Sequence, residues 1–442
     1  MPTFPLMIPL PAPSRPLVLA KAAPLLLALL PAVLARAQTS LDPALEARVI
    51  EWRRDIHEHP ELSNRETRTA ALVAEHLRGL GMEVRTGIAH TGVVGVLEGG
   101  RPGPVVGLRA DMDALPVTET ADVPFRSTAR DTFRGKDVGV MHACGHDTHV
   151  AMLMGAAEKL AGMGEELAGT VVFVFQPAEE GAPPGEEGGA SLMVREGVLD
   201  DPEVDVMFGA HINSQTPAGT LRYKPKGTMA ASDPLRIVVA GRQAHGAYPW
   251  KSIDPIVAAA HIITAMQTVV SRNTPLTKAA AVVTIGKIDG GVRGNIIPDT
   301  VELIGTIRTL DTAMRRELHA DLRRVVTHTA EATGATATVE IGAGNPVTYN
   351  DPALTARMLP TLERTAGAGK VELQDAVTGA EDFSYYAERV PSLFVFVGGM
   401  DPSKEPEEVA PHHTPDFYID ERGLRTGVEL YVNLATDYLA GE

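Results

Sequence analysis

The residues best suited to chemistry lie in one short segment, Met141-His-Ala-Cys-Gly-His-Asp-Thr-His149. It holds the only cysteine of the chain, Cys144, and three of its 14 histidines. A thiolate and an imidazole two residues apart suit a borderline transition metal such as Zn²⁺, Mn²⁺ or Co²⁺. Cys144 and His146 are therefore predicted to be metal ligands on a turn before a helix. Two other interpretations stay open: a cysteine nucleophile with a histidine base, or a small buried cysteine beside a helix that Asp147 caps.

Two adjacent carboxylates, Glu179 and Glu180, follow an apolar run in the segment Phe175-Gln-Pro-Ala-Glu-Glu-Gly181. One of them can bind metal while the other faces a water molecule and takes its proton. An exposed acidic loop is the ordinary fate of such a pair, and only the neighbouring motifs favour chemistry. Together with Cys144 and His146, the pair predicts a two-metal hydrolytic centre with a glutamate base.

Other candidate ligands follow apolar runs elsewhere in the chain. His211 comes after a predicted strand, although a hydrogen-bonded core histidine would look the same. His412 and His413 are adjacent, and chemistry does not rank one above the other. Asp111 and Asp113 lie at alternate positions after a strand, where they could bind metal or orient its ligands from outside.

Several classes of site have no support in the sequence. There is no phosphate loop, dinucleotide fingerprint or Gly-x-Ser-x-Gly motif, and His57-Glu-His59 lacks the spacing of a helical zinc motif. The net charge of −16 argues against nucleic acid or an anionic membrane as partner. A small-molecule substrate is the expected partner.

The N-terminus differs in composition from the rest. Residues 1–37 contain no Asp or Glu, and an apolar run from Ala22 to Ala35 precedes Ala35-Arg-Ala37. This pattern predicts a secretory signal peptide over residues 1–37, and hence a secreted or periplasmic protein without stable membrane association after cleavage. An uncleaved anchor or a disordered tail is the alternative.

The remaining 405 or so residues are too many for one ordinary domain. Strands and helices alternate up to about residue 228, which predicts an α/β catalytic domain with a central mixed sheet flanked by helices. Its polar motifs follow strands, where such folds build sites. Residues 229–344 show the order βαββαβ of a ferredoxin-like sandwich. We predict that this segment is inserted into a catalytic domain made of residues 41–228 and 345–442.

The chain resembles the aminoacylase/carboxypeptidase family of dinuclear metallopeptidases, over about residues 48–440. It is most similar to the amidohydrolase branch, which contains hippurate hydrolases and plant hydrolases of auxin–amino acid conjugates. Besides the two segments quoted above, the resemblance rests on Arg54-Asp-Ile-His-Glu-His-Pro-Glu-Leu62, Leu108-Arg-Ala-Asp-Met-Asp-Ala-Leu-Pro116, Gly209-Ala-His211, Ala244-His-Gly-Ala-Tyr-Pro249, Gly294-Asn-Ile-Ile-Pro-Asp299, Thr378-Gly-Ala-Glu-Asp-Phe383 and His413-Thr-Pro415.

The resemblance implies roles for individual residues. Glu179 matches the general base, and two divalent ions (Zn, Mn, Co or Ni) are expected on Cys144, His146, Glu180, His211 and His413. His413 is favoured over His412 because the family histidine directly precedes a Ser/Thr/Asn-x-Pro-like turn. Asp111, Asp113 and Asp147 are expected to support the ligands.

The resemblance also implies that the inserted domain is a lid, which in relatives can form a homodimer. His245 matches a lid histidine that stabilises the oxyanion. Asn295 and Arg308 lie in segments that help to position a substrate carboxylate. The expected reaction is hydrolysis of N-acyl amino acids, or of short peptides with a free carboxylate. A dipeptidase or carboxypeptidase, and a non-catalytic metal- or ligand-binding protein, are the alternatives.

Two departures from the family pattern lie near the expected pocket. Ile-Asn-Ser-Gln-Thr-Pro follows His211 where relatives carry a more apolar segment, and the loop after Glu180 has additional Pro and Glu residues. Both departures are expected to affect which substrate is preferred more than which reaction is catalysed.

Overall fold

The computed structural model describes residues 41–441. Its helices are α1 (Pro43–Glu58), α2 (Thr67–Gly79), α3 (His146–Ala161), α4 (Gly189–Arg195), α5 (Pro255–Thr268), α6 (Thr312–Ala332), α7 (Pro352–Ala366), α8 (Ser384–Ala387) and α9 (Arg422–Leu439). Within these residues no helix is both long and apolar enough to cross a bilayer. The predicted signal peptide lies outside the described residues.

The strands form one large sheet and several smaller ones. They are β1 (Glu83–Ile88), β2 (Gly92–Glu98), β3 (Arg101–Asp111), β4 (Arg130–Phe133), β5 (Lys136–Gly139), β6 (Ala168–Gln176), β7 (Val206–Pro217), β8 (Leu221–Tyr223), β9 (Lys226–Met229), β10 (Ala231–Ala240), β11 (Ala244–His245), β12 (Ala281–Asp289), β13 (Ile296–Ile297), β14 (Thr300–Thr309), β15 (Thr336–Ile341), β16 (Thr348–Asn350), β17 (Val371–Leu373) and β18 (Ser392–Met400).

The large sheet has the order β1-β2-β6-β3-β7-β18-β8-β17. The pairs β6–β3, β3–β7 and β7–β18 are parallel, whereas β1–β2, β2–β6 and β18–β8 are antiparallel. Side chains of α1, α2, α3, α7 and α9 pack on one face, and those of α4 and α8 pack on the other. The predicted α/β domain with a central mixed sheet and flanking helices is confirmed.

Local sequence signals explain several of these elements. Asp42 caps α1 by accepting the Ala44 N–H at 2.9 Å, and Pro43 occupies the first turn. In β6, Val171 and Phe173 face one core while Val172 and Val174 face the other. A strand buried on both faces reads as a continuous apolar run, as it does here. Because β3 is parallel to both β6 and β7, the polar residues at the end of β3, after β6 and within β7 lie toward one edge of the sheet.

The segment between β9 and β16 has its own sheet and core. Its strands have the order β12-β14-β10-β15, every pair is antiparallel, and α5 and α6 pack on the sheet around Ile237, Leu303 and Leu322. The elements follow one another as strand, helix, two strands, helix and strand. The domain boundaries at 228/229 and 344/345 stay a prediction.

A buried carboxylate joins the two ends of this segment. Asp233, at the start of β10, accepts hydrogen bonds from Arg315 Nε at 2.9 Å and pairs with His319 Nε2 at 2.8 Å. Arg315 also donates to the Gly344 carbonyl at 3.2 Å, where the chain leaves the segment. Burial opposes the charge, but the bonds from His319 and Arg315 lower the pKa of Asp233 to about 2.

We expect Asp233→Asn to lower the free energy of unfolding by about 3 kcal/mol, because Arg315 would lose its buried partner. Denaturant titration at pH 7 measures this loss. Since the folded pKa is depressed, the stabilisation is present above about pH 4 and is lost as the pH falls toward 2. Asp289→Asn, which removes the exposed partner of Lys287, is the matched control and should cost less than about 1 kcal/mol. Equal losses would contradict a role for burial.

Candidate metal centre

The candidate ligands converge at the edge of the large sheet where its parallel strands end. Asp111 ends β3, Glu179 and Glu180 follow β6, and His211 lies within β7. His146 is the first residue of α3, and His413 lies in the loop between β18 and α9. Predicted ligands that are separated by as many as 269 positions in the chain are thus brought to one place.

Two backbone features fix the ligand loops. Gly145 has φ of +92°, and a Cβ there would lie 2.4 Å from Ile212 Cγ2, so only glycine fits between Cys144 and His146. His413 has φ of +65°, and its N–H bonds the Ala143 carbonyl at 2.8 Å. Such conformations of non-glycine residues occur where the surrounding structure holds them, often at functional sites.

Cys144 is buried among possible ligand atoms. Its Sγ lies 3.4 Å from His211 Nε2 and 3.3 Å from His413 Nε2. His413 Nε2 is also 3.2 Å from Glu180 Oε1. A thiol, two imidazoles and a carboxylate within such distances form a mixed soft and hard donor set.

His146 points a free nitrogen toward the same cluster. Its Nδ1 lies 2.9 Å from the Asp113 carbonyl, which only accepts, so Nδ1 carries the proton. Its Nε2 is buried without a hydrogen-bond partner, 3.6 Å from Asp111 Oδ2 and 4.0 Å from Glu179 Oε2. A buried ring nitrogen without a hydrogen-bond partner is a position that a metal ion can fill.

Hydrogen bonding separates ligand histidines from structural ones. His211 Nδ1 donates to the Ile212 carbonyl, which leaves Nε2 free to face Cys144. His412 Nδ1 donates to the Cys144 carbonyl at 3.2 Å, and its Nε2 accepts the Ser214 N–H at 3.2 Å. His149 likewise bonds Asp111 through Nδ1 and accepts the Ile212 N–H through Nε2. His412 and His149 therefore have no free nitrogen, whereas His146 and His211 each have one.

The electrostatics of the cluster favour a bound cation. Burial opposes protonation of His146, but Asp111 and Asp113 raise its pKa to about 10. Burial, then Glu180 and Glu179, raise the pKa of the Cys144 thiol well above its usual range. Carboxylates thus stabilise positive charge here, and a bound metal would deprotonate the thiol. The residues present fit a divalent metal ion.

Asp113 holds the two adjacent glutamates in place. Its Oδ1 accepts the Glu179 N–H at 3.1 Å, and its Oδ2 accepts the Glu180 N–H at 3.0 Å and the Ser63 hydroxyl at 2.7 Å. Asp113 therefore contacts the backbone of both glutamates as well as His146, which agrees with the supporting role predicted for it.

Glu179 faces a second acidic group that the sequence did not single out. Glu179 lies with Glu381 and Asp382 in a group whose ligand atoms are all within 4.8 Å of one another. Arg109, fully buried, pairs with Glu381 at 2.9 Å and Asp382 at 3.0 Å. Burial, then Glu381 and Glu180, raise the pKa of Glu179 well above its usual value. A raised pKa makes the ionised carboxylate a stronger base for the proton of a water molecule.

Asp147 does not cap α3, so the interpretation of Asp147 as a helix cap is wrong. The N-cap of α3 is Gly145, and no side chain bonds the first turn. Asp147 instead lies 2.9 Å from His57 Nδ1 and 2.8 Å from Arg53 Nε, where it joins α3 to α1. His57, which the sequence excluded as a ligand, therefore contacts the residue that follows the predicted ligand His146.

The predicted substrate residues lie apart from the metal cluster. His245 is exposed, and together with Arg293 and Asn295 it lines an open cavity of about 430 Å³. Arg308 does not line this cavity, and donates to Thr306 and to the Ile307 carbonyl instead. No described contact joins His245, Asn295 or Arg308 to Cys144, so their roles stay predictions.

A matched pair of variants tests the choice between the adjacent histidines. We expect His413→Gln to weaken metal binding by at least about 100-fold, because it removes a nitrogen that faces Cys144 and Glu180. His412→Gln should change metal affinity by less than about tenfold, since both nitrogens of His412 bond the backbone. Metal titration of both proteins measures the difference. An equal loss would show that His412 is also a ligand.

Comparison with known proteins agrees with this geometry. Residues 107–437 match Peptidase family M20/M25/M40. Thermostable carboxypeptidase 2 of Saccharolobus solfataricus is 40% identical over 396 residues, which cover 89% of this chain and 96% of the relative. The IAA-amino acid hydrolase ILR1-like 4 of Arabidopsis thaliana is 38% identical, with 88% and 84% covered.

A solved structure is also similar over nearly its whole length. A dinuclear metal-binding peptidase of the M20 family from Bacillus subtilis has a TM-score of 0.76 and 34% identity, with 90% of this chain and 99% of that chain covered. The predicted family, and a hydrolase that depends on metal, are both confirmed. The chain belongs to Peptidase family M20/M25/M40 and is a metal-dependent amidohydrolase or peptidase.

Proposed function

We propose that this protein is an exported, dinuclear amidohydrolase that cleaves the amide bond of N-acyl amino acids. Export is supported by the composition and apolar run of residues 1–37. The acyl substrates are supported by the similarity to the IAA-amino acid hydrolase. The expected partner is a small molecule with a free carboxylate.

One observation carries the proposed reaction: Glu179 lies beside the ligands without being held by them. Its Oε2 is 4.0 Å from His146 Nε2, and its Oε1 accepts only a long bond of 3.4 Å from the Asp382 N–H. Its neighbour Glu180 contacts His413. Glu179 is therefore free to accept and return a proton, while Glu180 serves as a ligand.

The mechanism follows from these positions. Cys144, His146, Glu180, His211 and His413 would hold two divalent ions, which supply Lewis acidity for a carbonyl group and make a water molecule more acidic. Glu179 takes the proton from that water as its oxygen attacks the amide carbon. Glu179 then gives the proton to the amine nitrogen as the C–N bond breaks. Asp113 holds the backbone of Glu179 and Glu180 in place during these steps.

The segment of residues 229–344 is proposed to be a ferredoxin-like lid. Its element order supports this, and closure would bring His245 to the developing oxyanion. Asn295 and Arg293, which line the same cavity as His245, offer an amide and a guanidinium to the substrate carboxylate. Two further proposals rest on family resemblance: that Arg308 helps to position the substrate carboxylate, and that the lid forms a homodimer.

Amino acid release by the purified chain, loaded with Mn²⁺ or Zn²⁺, tests the proposal. The substrates are N-acetyl, N-benzoyl and indole-acetyl amino acids beside unblocked dipeptides. We expect release from blocked substrates that a chelator abolishes. No amino acid release from any blocked substrate at full metal loading would refute the proposed amidohydrolase function.

A carboxypeptidase or dipeptidase is the second candidate. It is favoured by the 40% identity to a protein named thermostable carboxypeptidase 2. Release from unblocked dipeptides, without release from blocked amino acids, would establish this candidate instead.

A further inference from the structure

Glu66 is a fully buried carboxyl group for which the mechanism has no part. It immediately precedes α2, but its side chain does not cap that helix. Glu61 bonds the first turn instead, because its carboxylate accepts the N–H groups of Arg68 and Thr69 at 2.9 Å. Burying a carboxyl group is unfavourable unless hydrogen bonds compensate for the lost water. The burial of Glu66 therefore has a cause outside its own helix.

Glu66 joins three separate segments of the chain by hydrogen bonds. Its Oε1 accepts the N–H of Ala178 at 2.9 Å and the N–H of Asn64 at 3.0 Å. Its Oε2 accepts the hydroxyl of Thr91, in the turn between β1 and β2, at 2.5 Å. Ala178 directly precedes Glu179, so one of these bonds acts on the backbone of the reaction centre.

The backbone that Glu66 bonds has an unfavourable conformation. Ala178 has φ of +53° and Asn64 has φ of +60°, both in the left-handed region that residues other than glycine seldom adopt. Asparagine tolerates this region because its side chain can bond the backbone nearby, but alanine has no such group. The conformation of Ala178 therefore depends on contacts from outside its own segment. The bond from its N–H to Glu66 is such a contact.

Glu66 and Asp113 together hold three consecutive N–H groups. Asp113 accepts those of Glu179 and Glu180 at 3.1 and 3.0 Å, and Glu66 accepts that of Ala178. Successive N–H groups of such a turn form a concave site for acceptor oxygens. Here the acceptors belong to the protein, so the turn does not depend on a substrate to fix its shape.

We propose that Glu66 is a positioning residue for the reaction centre, which acts through Ala178 on the two glutamates that follow. Its effect depends on the reach of the side chain and not on its charge. The inference rests on the proposed function where it concerns the base Glu179, and it extends to metal binding through Glu180.

Two substitutions separate reach from charge. Glu66→Gln keeps the length of the side chain: its amide oxygen can accept both N–H groups, and its NH₂ can donate to Thr91. Burial, and then the nearby Asp113, raise the pKa of Glu66 to about 8, so the native group is itself mostly uncharged at pH 7. Glu66→Asp keeps the carboxyl group but is one methylene shorter, so it withdraws from Ala178.

Titration with Zn²⁺, and kcat at full metal loading, measure the result at pH 7. We expect Glu66→Asp to weaken metal binding and to lower kcat by about 10- to 100-fold each, because the loop that carries the ligand and the base is released. KM should change by less than about threefold, since the proposed substrate contacts on the lid are untouched. Glu66→Gln should stay within about threefold of the wild type in metal affinity and kcat.

Thr91→Val is the matched control. It removes the hydroxyl from the other oxygen of Glu66 and leaves the bond to Ala178 in place. It should lower the Tm, because Glu66 loses a buried hydrogen bond, and change metal affinity and kcat by less than about threefold. A role of Glu66 in stability alone would lower the Tm of Glu66→Asp in the same way and leave its metal affinity unchanged, which would overturn the proposal.

The glutamine variant decides the matter even if Glu66→Asp fails to fold. Losses of metal affinity in Glu66→Gln of tenfold or more would overturn the proposal, because charge and not reach would then be required. Metal titration needs no turnover, so it also separates this inference from the proposed function. A wild-type protein that cleaves neither blocked amino acids nor dipeptides would refute the function, while the affinities of the variants would still decide the role of Glu66.

Discussion

Glu179→Gln is expected to retain both metal ions and to lose turnover by about 10²- to 10⁴-fold. Glutamine has nearly the same shape as glutamate but cannot accept the proton of the attacking water. Around Cys144 the neighbouring ligand atoms come from His211, His413 and Glu180, and Glu179 is not among them. Metal content per chain and kcat on an N-acyl amino acid measure the two parts of this prediction.

The matched control is Glu187→Gln in the same loop, whose side chain is 70% exposed and pairs with Arg195. It should leave kcat within about twofold, because exposed ion pairs contribute little. Two results would contradict the base assignment: a near-normal rate in Glu179→Gln, or loss of metal together with rate. The second would make Glu179 a ligand, as its proximity to His146 and Glu180 allows.

Cys144→Ser is expected to lose at least one metal equivalent and to reduce activity by more than about 100-fold at low metal concentration. The hydroxyl remains protonated where a thiol bound to metal does not, and it is a poorer ligand for soft cations. Metal analysis after dialysis, followed by titration with Zn²⁺, measures both stoichiometry and affinity.

Met141→Leu is a suitable control for Cys144→Ser. It changes a fully buried apolar side chain of the same segment at nearly constant volume, so it should keep metal and cost less than about 1.5 kcal/mol of stability. Unchanged metal stoichiometry in Cys144→Ser would rule out its ligand role. Excess metal that restores part of the activity would locate the defect in binding.

Much of the architecture was predictable because its signals are local. Asp42 and Pro43 indicate the start of α1, and the apolar run of β6 marks a strand buried on both faces. The order of strands and helices predicted a mixed sheet with polar segments at strand ends. The ligand types of Cys144 and His146, together with the glutamates and histidines that follow other apolar runs, indicated a metal site.

Long-range partners were not predictable. Arg109 and Glu381 are 272 positions apart, and nothing in either segment indicates that they form a buried pair. The choice between His412 and His413 rested on resemblance, whereas the structure gives it a physical reason, the backbone bonds that occupy both nitrogens of His412. The capping interpretation of Asp147 failed because a turn through Gly145 starts the helix at His146, so that Asp147 lies inside the helix and not before it.

The bonds from Asp113 to both glutamates have a consequence for how this enzyme can diverge. One carboxylate fixes the proton carrier and its neighbouring ligand, so a substitution at Asp113 would displace both at once. Among these three residues, loss of hydrolysis with retention of metal therefore requires a change at Glu179 itself. In descendants of this chain that become metal-dependent receptors, we expect Asp113 to persist and Glu179 to be the first of the pair to vary.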